Sequence, residues 1–172
     1  MYFYGKLFFV KQVFSILVFV FLVHTGSTAQ EPSKKIPEFS FSRLNKTAFT
    51  NKDLASNKLL LFVFFDVECE HCQHAIKFLA EHYNDFKNTA MYLLTLDSQE
   101  KITAFLNKYG NNLAVKKNVT ILQDMKQEFI NKFKPKKYPS IFLYTKTREL
   151  MMYDDEEQHL PLFVQEIKDV GK

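Results

Sequence analysis

The sequence predicts one sheet domain of the α/β or α+β kind, and three observations carry that prediction. Apolar runs alternate with stretches of helical period across short joints, as layered sheet-and-helix folds require. Residues 59–65, Leu-Leu-Leu-Phe-Val-Phe-Phe, are seven apolar residues without alternation. Such a run is too short for a helix and suits a central strand buried on both faces. The chain has 172 residues, 47% apolar and 24% charged. That is material for one core at roughly 100–200 residues per domain, and it excludes the charge-rich composition of a disordered chain.

The first 29 residues read as an address rather than as part of the fold. Lys6 and Lys11 precede an apolar run at 13–23 that only Ser15 interrupts. The run is shorter than the roughly 20 residues that span a bilayer and has the length of a signal-peptide core. Ser27 and Ala29 put small residues at a cleavage site, so the expected mature chain starts at Gln30. If residues 7–10 joined the run, an uncleaved membrane anchor would result instead. Either outcome places the body in the periplasm or another extracytoplasmic compartment, where disulfides persist. The expected division is therefore a signal peptide at 1–29, a polar linker at 30–35 and a domain at 36–172. A net charge of +4 names no partner. The densest basic run, Lys132, Lys134, Lys136 and Lys137, is broken by Phe133 and Pro135, unlike the concentrated stripe of a nucleic-acid binder.

Phe39, Phe41 and Leu44 alternate with polar residues as a short edge strand would, and residues 48–54 give a second weak strand and turn. After the buried run the period turns helical from His71, with Ile76, Leu79, Tyr83 and Phe86 on one face. Residues 90–96 form a second buried strand. Asp97 with Glu100 is a helix-start signal, Ile102, Phe105, Leu106 and Tyr109 make the apolar stripe, and Gly110 the stop. Residues 119–122 read as a strand. Asp124 then caps a short helix with Met125, Phe129 and Phe133 inward, which Pro135 ends. Residues 140–145 and 149–153 pair as a hairpin, and Leu160, Phe163, Val164 and Ile167 form a last helix opened by Pro161. The acidic run 154–157 reads as a solvated turn before it.

Both cysteines lie in Cys69-Glu70-His71-Cys72, at the joint between the buried strand and its helix. This spacing across a first helical turn lets two sulfurs approach to disulfide distance. The unpaired amides of that turn favour a thiolate on Cys69. A protonated His71 would favour it further, while Glu68 and Glu70 oppose it. Cys69, at the helix mouth, is the expected nucleophile and Cys72, one turn inward, the resolving thiol. Two other readings stand beside this one. Cys69, His71, Cys72 and His74 are soft or borderline ligands, so a copper or zinc carrier is conceivable, although four ligands on one helix start would splay round its axis. A binding module that kept the fold without the turnover is the other. No nucleotide, flavin or haem motif occurs, and Gln73 stands where a haem-attachment histidine would, so no cofactor is expected.

The stretch from about Ile36 to the last helix resembles the extracytoplasmic thioredoxin-fold proteins of the TlpA/ResA type, thiol-disulfide oxidoreductases of bacterial envelopes. The resemblance rests on Ile36-Pro37-Glu38-Phe39 with Lys52-Asp53-Leu54, on residues 59–72, and on the order of residues 94–97, 120–124 and 138–144. It implies a thioredoxin-like α/β fold, a central mixed sheet flanked by helices with an N-terminal hairpin and an inserted strand-helix element. It also implies a cis Pro139 whose loop lies against the redox pair, with Tyr138 offering its backbone to a substrate chain. The implied partners are envelope protein thiols and disulfides and an upstream electron donor, with a membrane involved only if the N-terminal segment is retained. The sequence departs from that family's pattern where a buried acid is usual. Val63 and Ala75 occupy those places, which leaves His71, His74, Asp66 or water to take the Cys72 proton.

Overall fold

The structure, a computed structural model, describes residues 30–171; the expected signal segment at 1–29 lies outside them. Phe41 and Phe49, each set among polar neighbours, face one another across an antiparallel hairpin of β1 (Ser40–Arg43) and β2 (Ala48–Thr50). The five residues of β3 (Leu60–Phe64) are all buried, as an unalternating apolar run requires of a central strand. β3 lies between β4 (Ala90–Thr95), parallel to it, and β6 (Ser140–Tyr144), antiparallel. β5 (Val119–Gln123) extends the parallel part, and β7 (Leu150–Asp154) closes the other side as the hairpin partner of β6. The seven-stranded mixed sheet runs β2-β1-β5-β4-β3-β6-β7. The expectation of an edge position for β1 is corrected: β2 holds the edge, because Ser42 and Arg43 also pair with Gln123 and Leu122 of β5.

Alternation along β3 divides the interior. Leu61, Val63 and Phe65 pack with the helices α1 (Glu70–Glu81), α3 (Gln99–Tyr109) and α5 (Leu160–Val170), while Leu60, Phe62 and Phe64 meet the hairpin and α4 (Glu128–Phe133). The single helix expected through Phe86 breaks at His82, whose φ of −98° and ψ of 19° leave the helical region. A separate turn, α2 (Tyr83–Phe86), follows; there the Tyr83 hydroxyl donates to Asn118 Oδ1 at 2.6 Å, and Phe86 is wholly buried.

Two helix starts differ from expectation: at one the expected carboxylate has partners elsewhere, and at the other it reaches the second helical N–H from three residues before the N-cap. Ser98, not Asp97, caps α3, because Asp97 Oδ2 accepts from Thr95 Oγ1 (2.8 Å) and from the Val67 N–H (3.2 Å). Asp124 is buried and accepts from the N–H groups of Lys126 and Phe129, while Gln127, at φ 56°, precedes α4. Met125, expected inward, therefore falls in the turn before the helix and is 68% exposed. Within the stretch 30–35, expected as a linker, the Ser33 N–H donates to the Phe133 carbonyl, and the Lys34 carbonyl accepts from Leu150. No helix among the described residues is long and apolar enough to cross a membrane.

Candidate active site

The strand-to-helix joint puts both sulfurs at the carboxyl end of β3, beyond the parallel strands, where open α/β sheets expose their sites. Cys69 is the N-cap of α1, in extended backbone, and its carbonyl accepts the first helical hydrogen bond from the Gln73 N–H at 3.1 Å. The preceding loop is held at three points. Asp66 Oδ1 accepts from the Glu68 N–H (2.8 Å), Asp97 from the Val67 N–H, and the Asp66 N–H itself donates to Cys72 Sγ (3.5 Å).

The two thiols are free and differ in environment. Cys69 is partly exposed and Cys72 has no exposed surface. Burial pushes the Cys72 thiol far up; the Asp66 N–H works against this, and a hydrogen bond with Cys69 works with it. Burial thus favours the protonated form of Cys72. Val63 and Ala75, at the places where a buried acid is usual, are also fully buried, so no carboxylate stands there.

The loop before β6 comes up against the first sulfur. The Tyr138–Pro139 peptide is cis, Pro139 is buried, and Cys69 Sγ lies 3.9 Å from the Tyr138 carbonyl oxygen. The Tyr138 ring packs on Phe64 at 4.7 Å, and its phenol is pushed up to about 12, first by burial and then by the charges of Asp66 and Asp97. Ser140 Oγ donates to the Lys137 carbonyl (2.7 Å) and the Lys136 N–H donates to Tyr153 Oη (3.0 Å), which fixes the loop from β6 and β7.

His71 does not stand alone beside the sulfurs. Its Nδ1 is 3.0 Å from Glu157 Oε1, and His74 Nδ1 is 3.8 Å from the same oxygen. The hydrogen bond to Glu157 holds His71 above its ordinary 6.5. Burial works to raise the Glu157 carboxyl, but the His71 hydrogen bond, its own backbone N–H and the charges of His71 and His74 together outweigh it, so the carboxyl sits below its ordinary range. Glu68 is likewise matched: Lys101 of α3 donates to it at 2.9 Å and lowers it. Of the opposing charges read from the motif, His71 and Glu68 are thus each compensated by a distant residue.

The acidic run 154–157 is not a solvated turn, which corrects the sequence reading. Glu157 meets the two histidines of α1, Asp155 and Glu156 meet Lys137 of the cis-proline loop, and Asp154 meets His159. Nothing in the local sequence separates Glu157 or Lys101 from other surface charges, because their partners come from elsewhere in the chain. Asp97 carried a usable signal, its place just past the end of a parallel strand. Among the described residues no group of three or more histidine, cysteine or acidic side chains is arranged to hold a metal ion. A cavity of about 670 Å³ at the other end of the sheet, among Lys58, Thr89, Thr145 and Ile167, contains neither cysteine, and the sulfurs rather than its size decide where the chemistry lies.

Residues 32–155 match the sequence profile of the AhpC/TSA family. No curated protein sequence matches the chain. Several solved structures share the fold. A thioredoxin-like protein from Aeropyrum pernix superposes with a TM-score of 0.63 at 11% identity over 76% of this chain and 89% of that one. A thiol-disulfide oxidoreductase from Bacteroides fragilis gives 0.62 at 20% identity over 77% and 98%. A secreted disulfide oxidoreductase from Mycobacterium tuberculosis gives 0.60 at 15% over 74% and 95%. The mixed sheet flanked by helices is the thioredoxin-like fold.

Proposed function

The chain belongs to the AhpC/TSA family, and on that premise we propose that it is a thiol-disulfide oxidoreductase of the TlpA/ResA type, acting on protein disulfides outside the cytoplasm. The observation that carries this reading is the pair of unequal sulfurs: Cys69 partly exposed at a helix mouth beside the Tyr138 carbonyl, Cys72 buried one turn behind it.

The Cys69 thiolate attacks one sulfur of a substrate disulfide, forms a mixed disulfide and expels the other sulfur as a thiolate, which takes up a proton. Cys72 then loses its proton and attacks Cys69, releasing the second substrate thiol and leaving a Cys69–Cys72 disulfide. The protein is oxidised by two electrons and the substrate reduced by two; an upstream donor restores the dithiol. Tyr138 and Pro139 form the loop along which the substrate backbone lies. His71 is a titratable group of the motif, and its pairing with Glu157 limits the cationic help it gives a thiolate, which favours the reductant over the oxidant.

Two measurements test the reading. Cys72→Ser should accumulate mixed disulfides with substrate proteins and Cys69→Ser should not; the reverse pattern overturns the assignment. A redox titration should give about −200 mV or below, whereas about −120 mV, the poise of a strong oxidant, contradicts the direction. The extracytoplasmic setting rests on the N-terminal 29 residues, and mass spectrometry of the exported protein should find Gln30 at its start.

A further inference from the structure

Collapse of a mixed disulfide on Cys69 needs a Cys72 thiolate, and burial favours the thiol. Some group must take that proton. His71 and His74 both turn Nδ1 toward Glu157 Oε1, at 3.0 and 3.8 Å, and their side chains are 66% and 60% exposed, whereas Cys72 has no exposed surface. The Tyr138 phenol, pushed up to about 12, keeps its own proton. Asp66 differs from these three. It follows Phe65 at the end of the buried run, its N–H donates to Cys72 Sγ at 3.5 Å, and its carbonyl accepts from the Cys69 N–H at 3.4 Å. Its backbone therefore sits against both cysteines. Its side chain is half-buried: Oδ1 accepts from the Glu68 N–H at 2.8 Å, and Oδ2 accepts no hydrogen bond among the described residues. The charge of that carboxylate reaches Cys72, the Tyr138 phenol and Lys101, and Asp97 acts on the last two as well.

We propose that the Asp66 carboxylate takes the Cys72 proton, through one water molecule, as the mixed disulfide collapses, while the Asp66 N–H holds the sulfur left behind. The proposal rests on the oxidoreductase reading. Once Cys69 is bonded to a substrate sulfur, its thiol no longer shares a hydrogen bond with Cys72, and the Cys72 proton is free to turn to Asp66. The Cys72 S–H bond breaks toward Asp66, the thiolate attacks the Cys69 sulfur, and the bond from Cys69 to the substrate sulfur breaks with its electron pair on the substrate. A Cys69–Cys72 disulfide forms, the substrate thiolate takes up a proton, and the Asp66 carboxyl, partly open to solvent, gives its own back to water. Amide and carboxylate act on Cys72 in opposite senses: the N–H favours the thiolate, and the carboxylate charge disfavours it. The carboxylate therefore speeds the step by accepting the proton, not by its field.

The probe is a synthetic peptide with one cysteine, held as a mixed disulfide with thiopyridine. Attack by Cys69 of the fully reduced protein releases thiopyridone, read by absorbance. Collapse by Cys72 then releases the peptide, read after acid quenching as loss of the mixed-disulfide mass, and no external reductant is needed. In Asp66→Asn, which keeps the N–H and an oxygen for Glu68, the ratio of the second rate to the first should fall about 100-fold near pH 7 and recover as pH rises and hydroxide replaces the carboxylate. A ratio unchanged or raised overturns the proposal: a carboxylate acting by its field alone would hinder Cys72 and its loss would speed collapse, and one that only held the loop would slow both steps equally. Asp66→Ser, whose hydroxyl also accepts from Glu68, should show the same fall, so a misfolded Asp66→Asn does not shield the proposal. Failure of the wild type to react with the peptide and with neutral dithiodipyridine removes the oxidoreductase reading itself, whereas a reactive wild type with an unchanged ratio in the variants removes only Asp66.

Discussion

One face of the sheet is packed with rings and the other mostly with aliphatic chains. Phe39, Phe41, Phe49, Phe62, Phe129, Phe133 and Phe142, with Tyr92 and Tyr144, fill the space between the sheet, the hairpin and α4; Phe129 and Phe133 stack at 4.2 Å. Leu61, Val63, Ile76, Leu79, Leu93 and Ile102 dominate the opposite face, under α1, α3 and α5. Aromatic pairs add roughly 0.5–1.5 kcal/mol beyond the area they bury, so the ring-filled face suits a scaffold. The aliphatic face ends at the mouth of α1, where Cys72 is buried and Cys69 emerges. The faces touch near the site where the Phe64 ring meets Tyr138, so the aromatic side supports the substrate loop from behind. The difference teaches that the residues that hold the sheet together and those that do its chemistry are largely separate sets.

That separation is open to direct attack. Cys69→Ser should remove disulfide exchange completely while moving the unfolding midpoint little, since a partly exposed sulfur is exchanged for oxygen. Phe133→Ala should do the opposite. A fully buried ring stacked on Phe129 is lost, which costs about 3–5 kcal/mol in denaturant unfolding. The folded fraction should still react at Cys69; a parallel loss of thiol chemistry would show that the faces are coupled. Iodoacetamide at pH 8 should then sharpen the contrast within the site, labelling Cys69 and sparing Cys72, whose surface is closed and whose proton burial retains. Equal labelling of the native protein would mean that α1 opens readily.

How much of this was legible in the sequence follows from the range of each interaction. β3 and the start of α1 could be read because an unbroken apolar run and a change of period are local signals. The place of Cys69 followed from them, since it is the residue at which one period gives way to the other. The cap of α3 was misread by one residue because Asp97 is drawn to Val67, thirty positions earlier in the chain. Met125 was misplaced because the buried Asp124 holds the turn and delays α4 to Glu128. Glu157 was read as solvent-facing because its partner His71 lies eighty-six residues away, and no periodicity reports a contact between a loop and a helix start.

The smallest expected effect comes from that contact. His71 is raised from 6.5 by Glu157, so its contribution to stability is fully present below 6.5 and is lost as pH rises through the raised value. Glu157 is lowered from 4.5, so its contribution is present above 4.5 and is lost as pH falls through the lowered value. The pair therefore contributes most between 4.5 and 6.5 and fades on both sides. Glu156 and Glu70 also face His71 and raise it less. In Glu157→Gln the NMR titration midpoint of His71 should fall toward its ordinary value, and the alkaline decline in stability should flatten relative to wild type. The change in stability should be slight, because the His71 side chain is 66% exposed and water screens the pair. A His71 midpoint unmoved by the substitution would mean that Glu157 does not hold the imidazolium, and the compensation argued for the reductant would lose its structural basis.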